Sequence, residues 1–325
     1  MRRATPHEFG DPTQVLALDD APMPEPKAGE VRIRTLLAPI HNHDLLTVRG
    51  QYGYKPTLPA IGGSEAVGIV DALGEGVDGV SIGDRVASSS GRGTWAEYFT
   101  TPARMIVPMP DGIPDETAAQ LMAMPLSALM LLESLALPPG AWIVQNAANG
   151  AVGKALAMLA EARGLHVANV VRRDDGIAEL AALGIPHVVS TAQADWMQQV
   201  RDLTGPALAQ AAIDSVGGKA SGALLSLVGN GGTLVSFGAL TGEAMQLSPA
   251  DLIFKQAIVK GFWGSKASQA MSTEGKRRLV GERPPRTRAG ELRLPVDAIH
   301  DLADIGQAAA ASLRPARAGK VLLRP

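Results

Sequence analysis

The segment from Ala141 to Gly153 constrains the fold of this chain more than any other. An apolar run at 141–144 leads into a glycine turn, and a helix is predicted over 151–163. A short apolar run of this kind is typical of a buried strand. Glycines at 150 and 153 let the backbone approach a pyrophosphate, and the N–H groups that begin the helix attract an anion. The residues predicted to bind a dinucleotide are Asn149, Gly150, Ala151, Val152 and Gly153.

Ala148 stands where a strict GxGxxG pattern has its first glycine. Taken alone, two glycines are equally compatible with a plain tight turn. The preceding strand and the following helix supply the context in which such a motif indicates a nucleotide site.

Two arginines follow the next predicted strand, which covers 165–171. NAD-binding units place an acidic residue near this strand end, roughly 20 residues beyond the glycines, to bond the ribose 2′-hydroxyl. This chain has Arg172 and Arg173 there, and a guanidinium pairs well with a 2′-phosphate. The pattern therefore favours NADPH over NADH as the cofactor. Asp174 and Asp175 partly neutralise this charge, and the alternative interpretation is a pair of solvated surface arginines.

Composition excludes several classes of function. The chain has 325 residues, enough for two domains, and a net charge of −2, which does not indicate binding to nucleic acid or to an anionic membrane. It contains no cysteine, so disulfides, thiolate catalysis and cysteine-bound zinc are excluded. The most apolar window, 118–137, is interrupted by polar residues and proline, and no apolar signal core follows Met1. We therefore expect a cytoplasmic protein.

The pattern along the chain changes twice. Residues 1–115 show short apolar stretches between proline and glycine turns, which predicts β structure, including strands at 31–37, 66–72 and 104–107. Residues 116–265 alternate strand and helix, which predicts a doubly wound parallel sheet of the α/β class. A polar segment at 268–288 is predicted to be a surface loop. The tail, with a helix at 305–313 and a strand at 320–323, is expected to complete the first domain, so that 1–115 and 266–325 form one domain.

Four segments, in this order and spread over nearly the whole chain, resemble the medium-chain dehydrogenase/reductase superfamily. They are Gly62-Gly63-Ser64-Glu65-Ala66-Val67-Gly68, Gly83-Asp84-Arg85-Val86, Gly93-Thr94-Trp95-Ala96-Glu97-Tyr98 and the glycine turn. The resemblance implies a Rossmann dinucleotide-binding domain beside a mostly β, GroES-like catalytic domain. It also implies a homodimer that forms through the edge of the nucleotide-domain sheet.

The zinc-dependent alcohol dehydrogenases of this superfamily bind catalytic zinc through Cys, His and Cys. The matching positions here are His41, Ser64 and a residue near Ala123, so two of the three ligands are missing, and the structural zinc cluster has no counterpart. Zinc requires three or four donors in fixed geometry. An alternative donor set consists of His41, His43, Asp44 and Glu65, but we expect no metal.

Two zinc-free groups compete, the quinone oxidoreductases and the mitochondrial-type 2-enoyl thioester reductases. The segment around Tyr52 is similar to both groups. Three segments look more like the enoyl reductases: Gln145-Asn146-Ala147-Ala148-Asn149, Asn169-Val170-Val171-Arg172-Arg173 and Gly261-Phe262-Trp263. Trp95 favours the same group. At 41–44 the chain departs from the family, because His-Asn-His-Asp replaces the usual Asn-Pro-Ser-Asp.

The resemblance and the chemistry of the reaction together indicate the catalytic residues. Reduction of an activated C=C bond builds enolate charge on the carbonyl oxygen, and a hydrogen-bond donor aimed at that oxygen stabilises the transition state. Tyr52 suits this task, while packing against its loop is the alternative role. His41 is a candidate for a hydrogen bond near the nicotinamide or the substrate. Trp263 is a candidate for both catalysis and cofactor contact. Phe237, Gly238 and Phe262 lie at predicted strand ends, where open α/β sheets bind ligands.

These observations predict an NADPH-dependent, zinc-independent reductase of an activated C=C bond, with a 2-enoyl thioester of CoA or acyl carrier protein as the favoured substrate. The first alternative is an NADPH:quinone oxidoreductase or a reductase of α,β-unsaturated ketones and aldehydes. The second alternative is an NADPH-binding protein without catalytic activity.

Overall fold

The computed structural model describes residues 1–89 and 92–325. Its strands are, in chain order, β1 (Arg2–Pro6), β2 (Leu16–Asp20), β3 (Glu30–Pro39), β4 (Ala66–Leu73), β5 (Arg85–Ser88), β6 (Tyr98–Pro102), β7 (Ile106–Pro108), β8 (Trp142–Gln145), β9 (His166–Val171), β10 (Val188–Ser190), β11 (Ala209–Asp214), β12 (Val228–Ser236), β13 (Ile258–Gly261), β14 (Val296–Asp301) and β15 (Lys320–Arg324).

The α-helices are α1 (Pro12–Val15), α2 (Asn42–Val48), α3 (Asp115–Ala118), α4 (Met124–Leu135), α5 (Ala151–Glu161), α6 (Asp175–Ala182), α7 (Trp196–Thr204), α8 (Lys219–Ser226), α9 (Pro249–Lys255), α10 (Gly264–Ala270), α11 (Thr273–Arg288) and α12 (Ile305–Leu313). Short 3-10 turns lie at Ala103–Met105 and Leu302–Asp304. Within the described ranges, none of the helices combines the length and the apolar character that a membrane span requires.

The chain forms two compact units. Unit 1 comprises Met1–Ala123 and Leu294–Pro325, and unit 2 comprises Met124–Arg293. The sequence analysis placed the domain boundaries at 115/116 and 265/266. Residues 266–293, which it assigned to the first domain, lie in unit 2.

Unit 2 is built around a six-stranded parallel sheet in the order β10-β9-β8-β11-β12-β13. Counted by their sequence within the unit, these strands have the order 3-2-1-4-5-6, which is that of the dinucleotide-binding doubly wound fold. The central strands are apolar on both faces, with Ile143, Val144 and Ala168 fully buried, because helices cover both sides of such a sheet. The prediction of a doubly wound parallel sheet is confirmed.

Unit 1 is mostly β. Its main sheet has the order β14-β15-β3-β4-β5-β7, with β6 also paired to β3, and β1 and β2 form a separate antiparallel pair. Trp95 is fully buried and donates its indole N–H to the carbonyl oxygen of Pro39 at 3.1 Å. A side chain at Gly62 or Gly63 would overlap the Trp95 ring, so the two glycines and the tryptophan of the sequence motifs form one packed contact. The predicted strand at 104–107 begins later, as β7, after a 3-10 turn.

The prediction of a surface loop at 268–288 is wrong, since most of this segment is helical, at the end of α10 and throughout α11. The Ser272 hydroxyl accepts a hydrogen bond from Gly275 N at 3.1 Å and caps α11. Leu279 is fully buried, and Glu282 forms an ion pair with Arg163 at 2.7 Å. Charged residues and a Pro284-Pro285 pair are typical of a loop in sequence. Here they lie on a helix that is held by its Ser272 cap, by the buried Leu279 and by ion pairs.

Candidate active site

The glycine turn lies at the carboxyl end of β8, where the order of the parallel strands reverses. Gly150 N donates to Ala147 O at 2.8 Å, and α5 begins one residue later. A Cβ atom on Gly153 would lie 2.8 Å from Ala147 O and 2.7 Å from Ala148 O, so only glycine lets the helix pack this closely on the turn. The first N–H groups of α5 have no acceptor within the helix, and they are suited to an anion.

Arg172 and Arg173 follow the last residue of β9, the strand beside β8. Arg172 is exposed and Arg173 is half-buried. Within the described part of the chain, neither guanidinium forms an ion pair, and Asp174 instead accepts a hydrogen bond from the Gln193 amide at 3.3 Å. No ion pair therefore neutralises their positive charge, and a pair of arginines that binds an anion must have its charge available in this way.

The ends of β12 and β13 bring two aromatic rings together at the same edge of the sheet. The rings of Phe237 and Phe262 are 6.2 Å apart, and Phe262 N donates to Ser236 O at 2.9 Å. Gly238 N donates to Asp214 O at 3.1 Å. Trp263 is 40% exposed, more than an ordinary core aromatic, and it precedes α10. The structure thus brings the predicted residues of unit 2 to one edge of its sheet.

A buried carboxylate that the sequence analysis missed organises this edge. Asp214, at the end of β11, is fully buried, and its carboxylate accepts hydrogen bonds from the Asn146 side chain at 2.6 Å and from the backbone N–H groups of Val216 and Gly217. The Ser221 hydroxyl donates to the second oxygen. Asn146 in turn accepts from Ser215 N at 2.7 Å. The network fixes the loop after β11 beside the glycine turn. An acidic residue ending an apolar strand was the available signal.

In unit 1 the predicted His41 lies in a fully buried polar cluster. Its Nε2 is 2.7 Å from a carboxylate oxygen of Glu65, and both side chains are inaccessible to solvent. The other Glu65 oxygen accepts hydrogen bonds from Met122 N and Ala123 N. Asp44 accepts from His41 N at 3.0 Å. Glu65 therefore joins three separate parts of unit 1.

Burial dominates the ionisation of this cluster. It holds the pKa of His41 well below the ordinary value, with the charge of Lys320 acting in the same direction, so His41 is neutral at pH 7. An ionised Glu65 can only accept, and it then pairs with a neutral His41 that carries its proton on Nε2. The buried Nδ1 of His41 has no hydrogen-bond partner among the described residues. Lys320 is also buried. It donates to Ile40 O at 3.3 Å, and burial lowers its pKa to about 8.

The second histidine of this segment connects the cluster to Tyr52. The rings of His41 and His43 are stacked, 5.1 Å apart and inclined by 16°. The ring of His43 lies 5.7 Å from that of Tyr52, and its Nε2 is 2.8 Å from the Ser64 hydroxyl oxygen. Tyr52 is half-buried. His41 and Tyr52 are thus joined through His43, which the sequence analysis noted as a departure from the family and as a member of the alternative donor set, but not as a catalytic residue.

The donors in this cluster do not suit zinc. The Nε2 of His41 and the Ser64 hydroxyl are engaged with Glu65 and His43, and the third matching position, near Ala123, offers an apolar side chain. Across residues 1–89 and 92–325, no three His, Cys, Asp or Glu residues are grouped so that they could hold a metal ion. We therefore derive no step through zinc.

The strand order and the glycine turn define unit 2 as a dinucleotide-binding domain. Family models agree: residues 27–111 match the alcohol dehydrogenase GroES-like domain, and residues 151–277 match the zinc-binding dehydrogenase family. The human mitochondrial enoyl-[acyl-carrier-protein] reductase is 33% identical over 323 residues, which cover 97% of this chain and 86% of the human protein. The chain belongs to the medium-chain dehydrogenase/reductase superfamily and is an oxidoreductase of that family.

Solved structures agree with this assignment. A proposed NADPH:quinone reductase from Bacillus thuringiensis superposes with a TM-score of 0.91 at 31% identity, covering 100% of this chain and 98% of that one. A mycobacterial protein in complex with NADPH superposes with a TM-score of 0.89 at 29% identity, covering 100% of both chains. The predicted fold, with a Rossmann and a GroES-like domain, is confirmed, and the prediction of NADPH as the cofactor agrees with the molecules named for these neighbours.

Proposed function

We propose that the protein is a zinc-independent, NADPH-dependent reductase of an activated C=C bond, and that its substrate is a 2-enoyl thioester of CoA or acyl carrier protein. The observation that carries the proposal is the position of Tyr52, a phenol suited to polarise a carbonyl, beside a polar cluster whose own donors are engaged with one another. The named activity of the human relative supports the thioester.

NADPH fits the residues of unit 2. Its pyrophosphate would be held by the turn at 149–153, and its 2′-phosphate by Arg172 and Arg173. Phe237, Gly238, Phe262 and Trp263 are proposed to contact the cofactor at the same sheet edge. When bound, NADPH supplies a hydride to the β-carbon of the substrate. Tyr52 donates a hydrogen bond to the carbonyl oxygen, where negative charge develops, and neutral His41 holds the segment that carries His43.

The test of the proposal is Tyr52→Phe. We expect kcat with NADPH and crotonyl-CoA to fall on the order of 10²-fold, because one donor to the developing oxyanion is lost. Tyr54→Phe, which alters an exposed neighbour, is the matched control and keeps kcat within about twofold. Absorbance at the nicotinamide band measures turnover, and a chelator should leave it unchanged. Equal activity of the Tyr52→Phe variant and the wild-type enzyme would refute the role of Tyr52.

A quinone is the second candidate substrate, because a neighbour that covers the whole chain is a proposed quinone reductase. The same assay separates the two: turnover of a simple quinone without turnover of crotonyl-CoA would replace the first proposal by the second.

The cytoplasmic location stays a prediction, since the human relative is named for mitochondria.

The cofactor preference depends on the two arginines after β9. Replacing both Arg172 and Arg173 by alanine should raise the KM for NADPH by at least roughly 10- to 100-fold, since a single charge-assisted hydrogen bond contributes about 1.5–3 kcal/mol. The KM for NADH should change little. Arg201→Ala, on α7 of the same unit, is the control. Equal changes in both KM values would show that the arginines do not read the 2′-phosphate.

We propose a homodimer formed through β13. This strand is the edge of the six-stranded sheet, its four residues are exposed, and Phe254 on the preceding helix is 80% exposed. An uncovered apolar edge strand invites pairing with another strand. Light scattering should give twice the mass of one chain, and Ile258→Lys should give a single chain, while Ile82→Lys in a loop of unit 1 should not. A monomeric wild-type protein would exclude this interface.

A further inference from the structure

Lys154 is a buried charged side chain of unit 2 that the proposed function does not use. It directly follows Gly153, and its backbone N–H donates to Gly150 O at 2.9 Å, so its backbone belongs to the junction of the glycine turn and α5. The side chain is only 4% exposed, and Nζ lies 2.5 Å from a carboxylate oxygen of Glu179 on α6. A lysine at this place in the sequence is expected to bind the pyrophosphate, but here a carboxylate neutralises its charge.

Glu179 lies on the helix that follows the two arginines of the cofactor site. The chain leaves β9, passes Arg172 and Arg173, and enters α6 two residues later. Gly176 N donates to Arg173 O at 3.0 Å, so the second arginine belongs to the turn that starts this helix. A change in the position of α6 therefore displaces the arginines.

We propose that the ion pair between Lys154 and Glu179 positions the two arginines for the 2′-phosphate of NADPH; this inference rests on the role proposed for the arginines. One end of the pair is attached to the turn proposed to hold the pyrophosphate, and the other end lies on the helix that begins at the arginines. The pair thus sets the distance between the two anion-binding parts of the site. Lys154 and Glu179 act through the arginines, so they are positioning residues.

Other contacts fix where α6 begins. Ala148 N, in the glycine turn, donates to Val170 O at 3.2 Å, which joins that turn to β9. Gly176 packs closely on the last residue of β9, since a Cβ atom there would lie 3.0 Å from Val171 Cβ. The ion pair acts one turn later along α6. Two points of attachment define the direction of a helix as well as its origin, and the second point is the pair.

Stability alone does not explain a charged pair at this place. Removing two charges from water costs about as much as their attraction returns, so apolar side chains often hold two helices together equally well. The fully buried Leu180, next to Glu179, is a contact of that apolar kind. An ion pair differs because its charge-assisted hydrogen bond is satisfied in one geometry, which specifies the relative placement of α5 and α6.

The first test measures the dissociation constants of NADPH and NADH by calorimetry in Glu179→Gln, which removes the pairing charge and keeps the size of the side chain. We expect the preference for NADPH, the ratio of the NADH constant to the NADPH constant, to fall roughly 3- to 10-fold. Lys154→Met combined with Glu179→Gln removes both charges and should lower the ratio to the same extent. Glu161→Gln, at the exposed last residue of α5, is the control and should keep the ratio.

Two results of this test would overturn the proposal. One is an unchanged ratio in either variant. The other is an equal weakening of both cofactors, which would show that Lys154 acts on the pyrophosphate that NADPH and NADH share.

The second test asks whether the pair acts through the arginines. In a protein that carries Arg172→Ala and Arg173→Ala, adding Glu179→Gln should change the ratio by less than about twofold, because no guanidinium remains to be positioned. A fall as large as in the wild-type background would overturn the inference alone. If the two arginine substitutions by themselves leave the ratio unchanged, the proposed binding of the 2′-phosphate fails, and this inference fails with it.

Discussion

Glu65→Ala is expected to lower the free energy of unfolding of unit 1 by about 3–5 kcal/mol. The substitution removes the carboxylate that accepts hydrogen bonds from the backbone N–H groups of Met122 and Ala123 and pairs with Nε2 of the fully buried His41. Each buried donor that loses its partner costs about 1–3 kcal/mol. This loss exceeds the effect of an ordinary substitution, because one carboxylate satisfies all three groups.

The measurement is chemical denaturation followed by fluorine NMR of 5-fluorotryptophan, since Trp95 is the only tryptophan of unit 1 and reports that unit alone. Glu65→Gln keeps one acceptor oxygen and should cost less than the alanine substitution. Glu75→Ala, at an exposed position, should stay within about 0.5 kcal/mol of the wild type. If Glu65→Ala and Glu75→Ala gave equally stable proteins, the hydrogen bonds of Glu65 would not hold the unit together.

Local patterns were sufficient to predict much of the fold. The apolar runs at β3, β4, β8 and β9 are continuous in sequence, and each forms a strand close to its predicted bounds. The glycine turn could also be predicted, because Gly153 is required by atoms only five and six residues away. Such features depend on neighbours along the chain, which a single sequence displays.

Features that depend on distant residues could not be predicted in the same way. The helix α11 looks like a loop by composition, and it is held by an ion pair between Glu282 and Arg163. The network of Asp214 joins the ends of two strands that are adjacent in the sheet but 68 residues apart in sequence. The neutral state of His41 depends on a burial that its polar sequence context conceals. A pattern of residue types contains no information about these pairings.

Lys320 is the most distant example, since its ammonium group donates to Ile40, 280 residues earlier in the chain. Burial lowers its pKa from 10.5 to about 8, although the charges of Asp44 and Glu65 oppose the shift. Between these two values the unfolded chain binds more protons than the folded one, so stability rises with pH. Each pKa unit corresponds to about 1.4 kcal/mol, which predicts a rise of about 3 kcal/mol.

We expect this rise in the wild type as pH increases from about 8 to 10.5, and we expect Lys320→Met to lack it. The difference between the two unfolding free energies removes the contribution of every other group that titrates in this window. Below pH 8 the cost of burying the ammonium is present in full, so the difference should be constant there. Lys27→Met, at an exposed position, should keep the rise. Parallel pH profiles for the wild type and the Lys320→Met variant would show that the ammonium group is solvated in the folded state.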